Sequence, residues 1–448
     1  VLSLIFFLMI AVSGKSQETA PLFLLPEVSQ ASAFNPALFN EDEKLIIGLP
    51  VLSGIFVNWK SNSPFDALFS KGFSYSFSRF YDKLQPRGKA FASGRVSMFY
   101  ASLRHNEYTF RLSVSERMVA TGNFDRDIIK IIRDGTAPYF GSKEYFGEAD
   151  FYFQHFRELS FGISKRLWKD LDVGIRPKIL FGKLGFMGSG IQLSVETDAQ
   201  NEELLIKPEG KFLLMVPFKY EYNQFLETSF FKANFHPGDY FFQPRNLGLA
   251  IDGGVVFRPN NLSEISASIL DFGFTTLKHN TYDVHFVAPA RYAMEDLYQS
   301  TNPDDANFLE PREALLAFSD TANYIIDAVK TDYRTWLWMP LTLNIAGKYR
   351  FSEKLTAGLN NQFTWFLNQP RNLFAAFIQS QAGKKVRLAG SLSVLNLSAV
   401  RPGFGISWTN SNWQFYFASN NILGIIQPTS SKHLNLSLGV NLLFDTQK

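Results

Sequence analysis

The stretch HLNLSLGVNLLF, residues 433–444, sets Leu434, Leu436, Leu438, Val440, Leu442 and Phe444 against Asn435, Ser437, Gly439 and Asn441, with Leu443 the one exception. Strict alternation of this length marks a strand with one apolar and one polar face. Two surroundings satisfy such a strand: a protein core and water, or lipid and a lumen.

The same pattern recurs upstream. In LTLNIAGKYRF the residues Leu341, Leu343, Ile345, Gly347, Tyr349 and Phe351 oppose Thr342, Asn344, Ala346, Lys348 and Arg350. In NLGLAIDGGVVF, Leu247, Leu249, Ile251, Val255 and Phe257 oppose Gly248, Ala250 and Asp252. Phe110, Leu112, Val114 and Met118 oppose Arg111, Ser113, Ser115 and Arg117, and Glu116 interrupts the apolar face. Short polar links join such strands: SEK at 352–354, WKD at 168–170, RPNN at 258–261 and NS at 410–411. Links this short are hairpin signals. Longer segments are expected at about 120–156, 223–245, 276–336 and 368–384.

Composition separates the two surroundings. No run of about 20 apolar residues follows the N-terminus, so a helical membrane protein is excluded, whereas a transmembrane barrel carries its apolar residues in alternation. Aromatic residues make up 16% of the 448 positions, 46 of them Phe, which suits the aromatic girdles of an outer-membrane barrel. The expectation is an all-β transmembrane antiparallel barrel of about 14 strands, with short turns at one end, longer loops at the other and a few short helices in the loops. Two helices are expected there, in NFDRDIIKIIRD (123–134) and in PREALLAFSDTANYIIDAVK (311–330).

The first residues, VLSLIFFLMIAV, followed by SGKSQ, read as the apolar core and cleavage region of a signal peptide over 1–16. With neither an initiator Met nor a basic n-region, the sequence is expected to begin inside its reading frame. Residues 17–42 do not alternate, and 43–448 form the barrel.

Chemistry-bearing patterns are sparse. A formal charge of +3 leaves no nucleic-acid footprint, and the absence of Cys removes disulfides and thiolate sites. The six His residues lie apart without metal-ligand spacing, and no G-x-S-x-G element occurs, so neither an enzyme nor a metal or other cofactor is expected. FGKLGFMGSG (181–190) lacks the order of a dinucleotide or phosphate loop and reads as a strand end followed by a loop. NPDDANFLE (302–310) lacks the fixed spacing of a calcium loop and reads as a solvated loop.

One short motif stands out near the expected mature start: SAFNPALFN, with Asn35, Pro36 and Ala37. Asn can cap a helix whose first residue is Pro, and Pro36 biases Asn35 away from the helical region, so the motif reads as a turn or a helix start. The order of signal peptide, Asn-Pro-Ala segment and KLIIGLPVLSGIFVNW resembles the fatty-acid-transporter (FadL-type) barrels, and barrels associated with type IX secretion share this opening. Together with the FYFASNNILGI…HLNLSLGVNLLF end, it also resembles a family of uncharacterised outer-membrane proteins.

That resemblance implies that 17–42 is a hatch folded inside the lumen, with Asn35, Pro36 and Ala37 at its heart. It implies a location in the outer membrane of a Gram-negative cell, among outer-membrane lipid. The function it implies is passage of a small hydrophobic molecule. The alternative is a non-transporting scaffold or accessory barrel that docks other envelope proteins in a secretion or surface-assembly complex.

Overall fold

The computed structural model describes residues 21–38, 45–64, 81–130, 137–198, 203–217, 245–293, 325–331, 334–367, 369–396, 399–428 and 430–444, with Gly238 and Tyr240. The expected signal peptide lies outside the described residues, as do 17–20 and 39–42 of the expected hatch and all of 302–310.

Twenty hydrogen-bonded segments make one closed sheet of fourteen antiparallel strands, because four strands are interrupted. β1 comprises Leu45–Gly48 and Ile55–Ser61, β2 Arg87–His105, β3 Tyr108–Asp125, β4 Lys143–Trp168 and β5 Leu171–Asp198. β6 comprises Glu203–Met215 and Leu247–Phe257; β7 comprises Ser263–Leu277, Thr281–Phe286 and Ala290–Ala293. β8 comprises Ile326–Lys330, Thr335–Trp338 and Leu341–Ser352. β9 is Leu355–Phe366, β10 Gln369–Ala382, β11 Val386–Leu395, β12 Arg401–Thr409, β13 Trp413–Ser419 and β14 His433–Phe444.

Each strand pairs with its sequence neighbours, and β14 closes the ring against both halves of β1, Leu45 opposite Phe444 and Ile55 opposite Leu438. Closure leaves no sheet edge, which is what permits a sheet to sit in lipid. Turns at 106–107, 169–170, 258–262, 353–354, 383–385 and 410–412 all lie at one end, the short-turn end.

The alternating residues sort as their pattern requires. Leu249, Ile251, Leu343, Ile345 and Leu359 stand exposed on the outside, while Asp252, Thr342, Asn344, Asn435, Ser437 and Asn441 are buried inside. Trp168, Tyr349, Phe351 and Trp413 stand on the outside near the short turns, and Trp336, Trp338 and Trp365 stand there higher up, on the adjacent strands β8 and β9. Trp338 and Tyr349 are eleven positions apart on β8, against roughly 9–11 residues for a tilted strand that crosses a bilayer core. Glu116, which interrupts its apolar face, is outside and held by His155 (3.0 Å) and Arg157 on β4.

Three expectations about strands and loops are corrected, and the two expected helices in part. Residues 120–156 are mostly strand, since β3 runs to Asp125 and β4 starts at Lys143. Residues 368–384 contain β10, whose alternation is masked because both faces are apolar: Phe374 and Ile378 point out, Leu373, Ala375 and Phe377 in. The glycine-rich 181–190 lies inside β5, where register shifts at His155/Phe156 and Ser189/Gln192 absorb the irregular spacing. Of the expected helices, 123–134 is strand to Asp125, a 3-10 turn over Arg126–Ile129 and helical at Lys130, and 131–134 lie outside the described residues. In 311–330, residues Ile326–Lys330 are strand paired with Thr281–Phe286, and 311–324 lie outside the described residues. A short helix, Ile422–Ile426, joins β13 to β14.

Candidate functional site

The inward residues of β5 read the lumen from the short-turn end upward: Asp172, Gly174, Arg176, Lys178, Leu180 and Gly182. Each meets a different layer. Asp172 belongs to the rim, where it pairs with Arg166 (3.0 Å) and Arg258, and Arg258 also reaches Glu264 (3.3 Å), itself paired with Lys348 (2.8 Å). These acids and bases come from β4 to β8 and close one side of the mouth.

Above the rim lies the segment 21–38, folded into two short 3-10 turns, Leu22–Leu24 and Ser29–Ala33, and almost wholly buried. Its apolar side chains Leu22, Phe23, Leu25, Val28 and Phe34 pack on inward Phe377, Tyr416 and Ala418. Phe23 meets the Phe377 ring edge-on at 5.5 Å. So short a segment cannot pair all its backbone carbonyls internally, and buried carbonyls left unpaired are costly. The barrel wall supplies the donors. Arg111 of β3 donates to Leu38 O at 2.8 Å, Arg176 to Ser32 O at 3.1 Å, and Asn344 of β8 to Phe34 O at 3.2 Å. Ser268 of β7 donates to Phe34 O at 2.8 Å, and Gln379 of β10 to Leu24 O at 3.1 Å. The segment thus touches strands around the whole ring.

Asn35, Pro36 and Ala37 sit together at its centre, all buried. Asn35 caps its own turn by accepting the Ala37 N–H at 2.9 Å and donates to Val255 O at 3.1 Å and Ala267 O at 3.3 Å, on adjacent strands β6 and β7. Glycine makes this approach possible. A Cβ on Gly254 would overlap Asn35 Oδ1, and one on Gly174 would overlap the Pro36 carbonyl.

The next layer is ionic and was not legible as a site in the sequence. Arg117 bridges Glu158 (2.5 Å) and Asp271 (2.9 Å); Lys178 bridges Asp271 (2.5 Å) and Asp252 (2.7 Å); Arg176 also holds Asp252. By alternation Asp271 would face lipid. A register shift between Ile251 and Gly253 opposite it, with a left-handed Asp271 (φ 58°), turns the carboxylate inward. The recoverable signal is the recurrence of charges at inward positions of neighbouring strands, as at Arg117, Glu158 and Lys178.

Beyond the ions the lumen becomes apolar, lined by Phe91, Phe156, Leu180, Met215, Leu277 and Phe366. Tyr152 of β4 and Phe366 of β9 meet edge-on at 5.2 Å, packing the layer across the barrel. Beside it the wall is discontinuous among the described residues. β6 leaves the sheet after Met215 and resumes at Leu247, so β5 changes partner between Phe181 and Gly185. One side chain stitches this break. Asn246, left-handed at φ 54°, accepts from Lys278 N (3.0 Å) and His279 N (2.7 Å) and donates to His279 O (3.0 Å), while its carbonyl accepts Gly182 N (3.0 Å). A cavity of about 20 Å³ lies there among Gly182, Lys183, Val216, Pro217 and Asn246.

A model of a family of unknown function, DUF5723, matches residues 36–420. No curated protein matches the chain. Among solved structures the chain is similar to the CymD monoaromatic hydrocarbon channel, at 8% identity and a TM-score of 0.47 over 94% of both chains. It is similar to the Ralstonia pickettii toluene transporter TbuX at 8% identity and 0.47 over 97% of both. It is also similar to the Pseudomonas putida toluene transporter TodX at 8% identity and 0.42, over 97% of this chain and 95% of that one.

Proposed function

We propose that this chain, which belongs to DUF5723, a family of unknown function, passes a small hydrophobic solute across the outer membrane of a Gram-negative cell, with no chemical step. The observation that carries the reading is the contact between the apolar lumen layer and the wall break: Met215 and Leu277 belong to both, flanking Gly182 and Gly185. An apolar solute loses nothing by moving from such a layer sideways into lipid, whereas the axial route would lead it through the buried ion pairs. Residues 21–38, with Asn35, Pro36 and Ala37, act as the hatch that seals this axial route to water and ions.

The test is uptake of radiolabelled naphthalene by Gram-negative cells with and without the chain in their outer membrane. Faster naphthalene uptake with unchanged entry of a sugar of similar size supports the proposal. Equal rates with and without the chain contradict it.

The packing of Tyr152 against Phe366 across the lumen favours a second reading, a permanently closed accessory barrel. Under that reading the chain docks other envelope proteins, as in a type IX secretion or surface-assembly complex. Equal uptake rates, together with partners recovered in stoichiometric amounts from gentle detergent extracts, would select it.

A further inference from the structure

Between the docked segment and the ionic layer lies a cavity of about 90 Å³, walled by Gln30 and Ser32 below and on the barrel by residues of β1 to β5, with Asp271 of β7, Thr342 of β8, Tyr416 of β13 and Ser437 of β14. Its charges do not cancel. Four cations, Arg95, Arg117, Arg176 and Lys178, face three acids, Glu158, Asp252 and Asp271, among the described residues. The acid of the docked segment, Glu27, is turned away to Ser407 on β12.

The surplus is Arg95. It stands directly opposite Arg117 in the β2–β3 ladder, an arrangement that like charges disfavour. Arg117 takes the near oxygen of Glu158 at 2.5 Å, leaving Arg95 at 3.9 Å from it and without a hydrogen bond to any described residue. Its side chain is 25% exposed, into the cavity it lines. Two positions away on the same face, Ser93 is buried and its hydroxyl has no hydrogen-bond partner. Ser115 adds a further hydroxyl to the wall.

We infer that this cavity is a binding site for a small monocarboxylate. A guanidinium presents paired N–H groups that match a carboxylate in plane, and one negative charge balances the layer. The two hydroxyls supply donors to the remaining lone pairs. The volume suits an anion of about four or five non-hydrogen atoms. The site is independent of the route taken by a hydrophobic solute, since it lies on the docked side of the ionic layer.

Equilibrium dialysis of radiolabelled acetate against the detergent-solubilised chain, at constant ionic strength in chloride, tests this. Saturable binding of one acetate per chain is expected, weakened about tenfold or more in Arg95→Gln. That variant removes a like charge beside Arg117 and keeps the barrel. Ser93→Ala, which changes no charge, is expected to weaken acetate severalfold. Absence of saturable binding, equal displacement by chloride, or acetate binding retained at full strength in Arg95→Gln overturns the assignment.

Discussion

Gln30 and Asn441 exchange hydrogen bonds inside the barrel: Gln30 Nε2 donates to Asn441 Oδ1 at 2.6 Å, and Asn441 Nδ2 donates to Gln30 Oε1 at 2.9 Å. Gln30 also donates to Ser53 O at 2.9 Å, a carbonyl set free where β1 is interrupted between Gly48 and Ile55. The strand that closes the barrel is therefore also one that holds the docked segment. Its polar face is a binding surface for the chain's own N-terminal residues.

The two amides should couple. A buried hydrogen bond contributes about 1 kcal/mol net, and leaving one amide unpartnered costs about 1–3 kcal/mol. A Gln30→Ala and Asn441→Ala double-mutant cycle, read by urea unfolding in detergent, is expected to give an interaction energy of about 1–2 kcal/mol. Strict additivity would show that the pair does not fasten the segment.

Glycine substitutions separate docking from barrel stability. Gly254→Ala places a methyl group on Asn35 Oδ1, whereas a Cβ on Gly347 meets nothing within 4 Å. Overpacking of this kind costs about 1–3 kcal/mol. Gly254→Ala should speed proteolysis between residues 21 and 38 while the barrel keeps its heat resistance on electrophoresis, and Gly347→Ala should do neither.

The ionic layer should respond more severely. Asp271→Asn leaves Arg117 and Lys178 sharing two acids in place of three. Removing one partner from a buried network costs about 3–5 kcal/mol. The variant is expected to unfold at clearly lower urea, and Asp271→Glu, which keeps the charge, to recover part of the loss.

How much of this was legible in the sequence follows from what alternation can encode. The lipid-facing rows at 247–257, 341–351 and 433–444 were readable because lipid favours apolar residues, so every second position is constrained. β10 was not, since Phe377 meets the docked Phe23 and makes the inner face apolar too. Asp271 was invisible for the opposite reason: a local register shift reverses the face on which it appears. The Asn-Pro-Ala motif drew notice as a turn former. The donors that meet the carbonyls flanking it, Arg111 at Leu38, Arg176 at Ser32 and Asn344 at Phe34, come from strands far apart in sequence and are united only by barrel closure. The break at Met215–Leu247 carries no pattern of its own, because Asn246 acts through its backbone angle and one amide.

The claim that solute leaves through the wall rests on that break, and the chain's lack of Cys makes it directly testable. A Cβ built on Gly182 lies 3.0 Å from Asn246 Cβ, shorter than the roughly 3.5–4.5 Å across a disulfide, so the two positions need separate by only about 0.5 Å to be cross-linked. In Gly182→Cys/Asn246→Cys cells, naphthalene uptake should fall severalfold on oxidation and return on reduction. Uptake unchanged by a complete cross-link would contradict the lateral route.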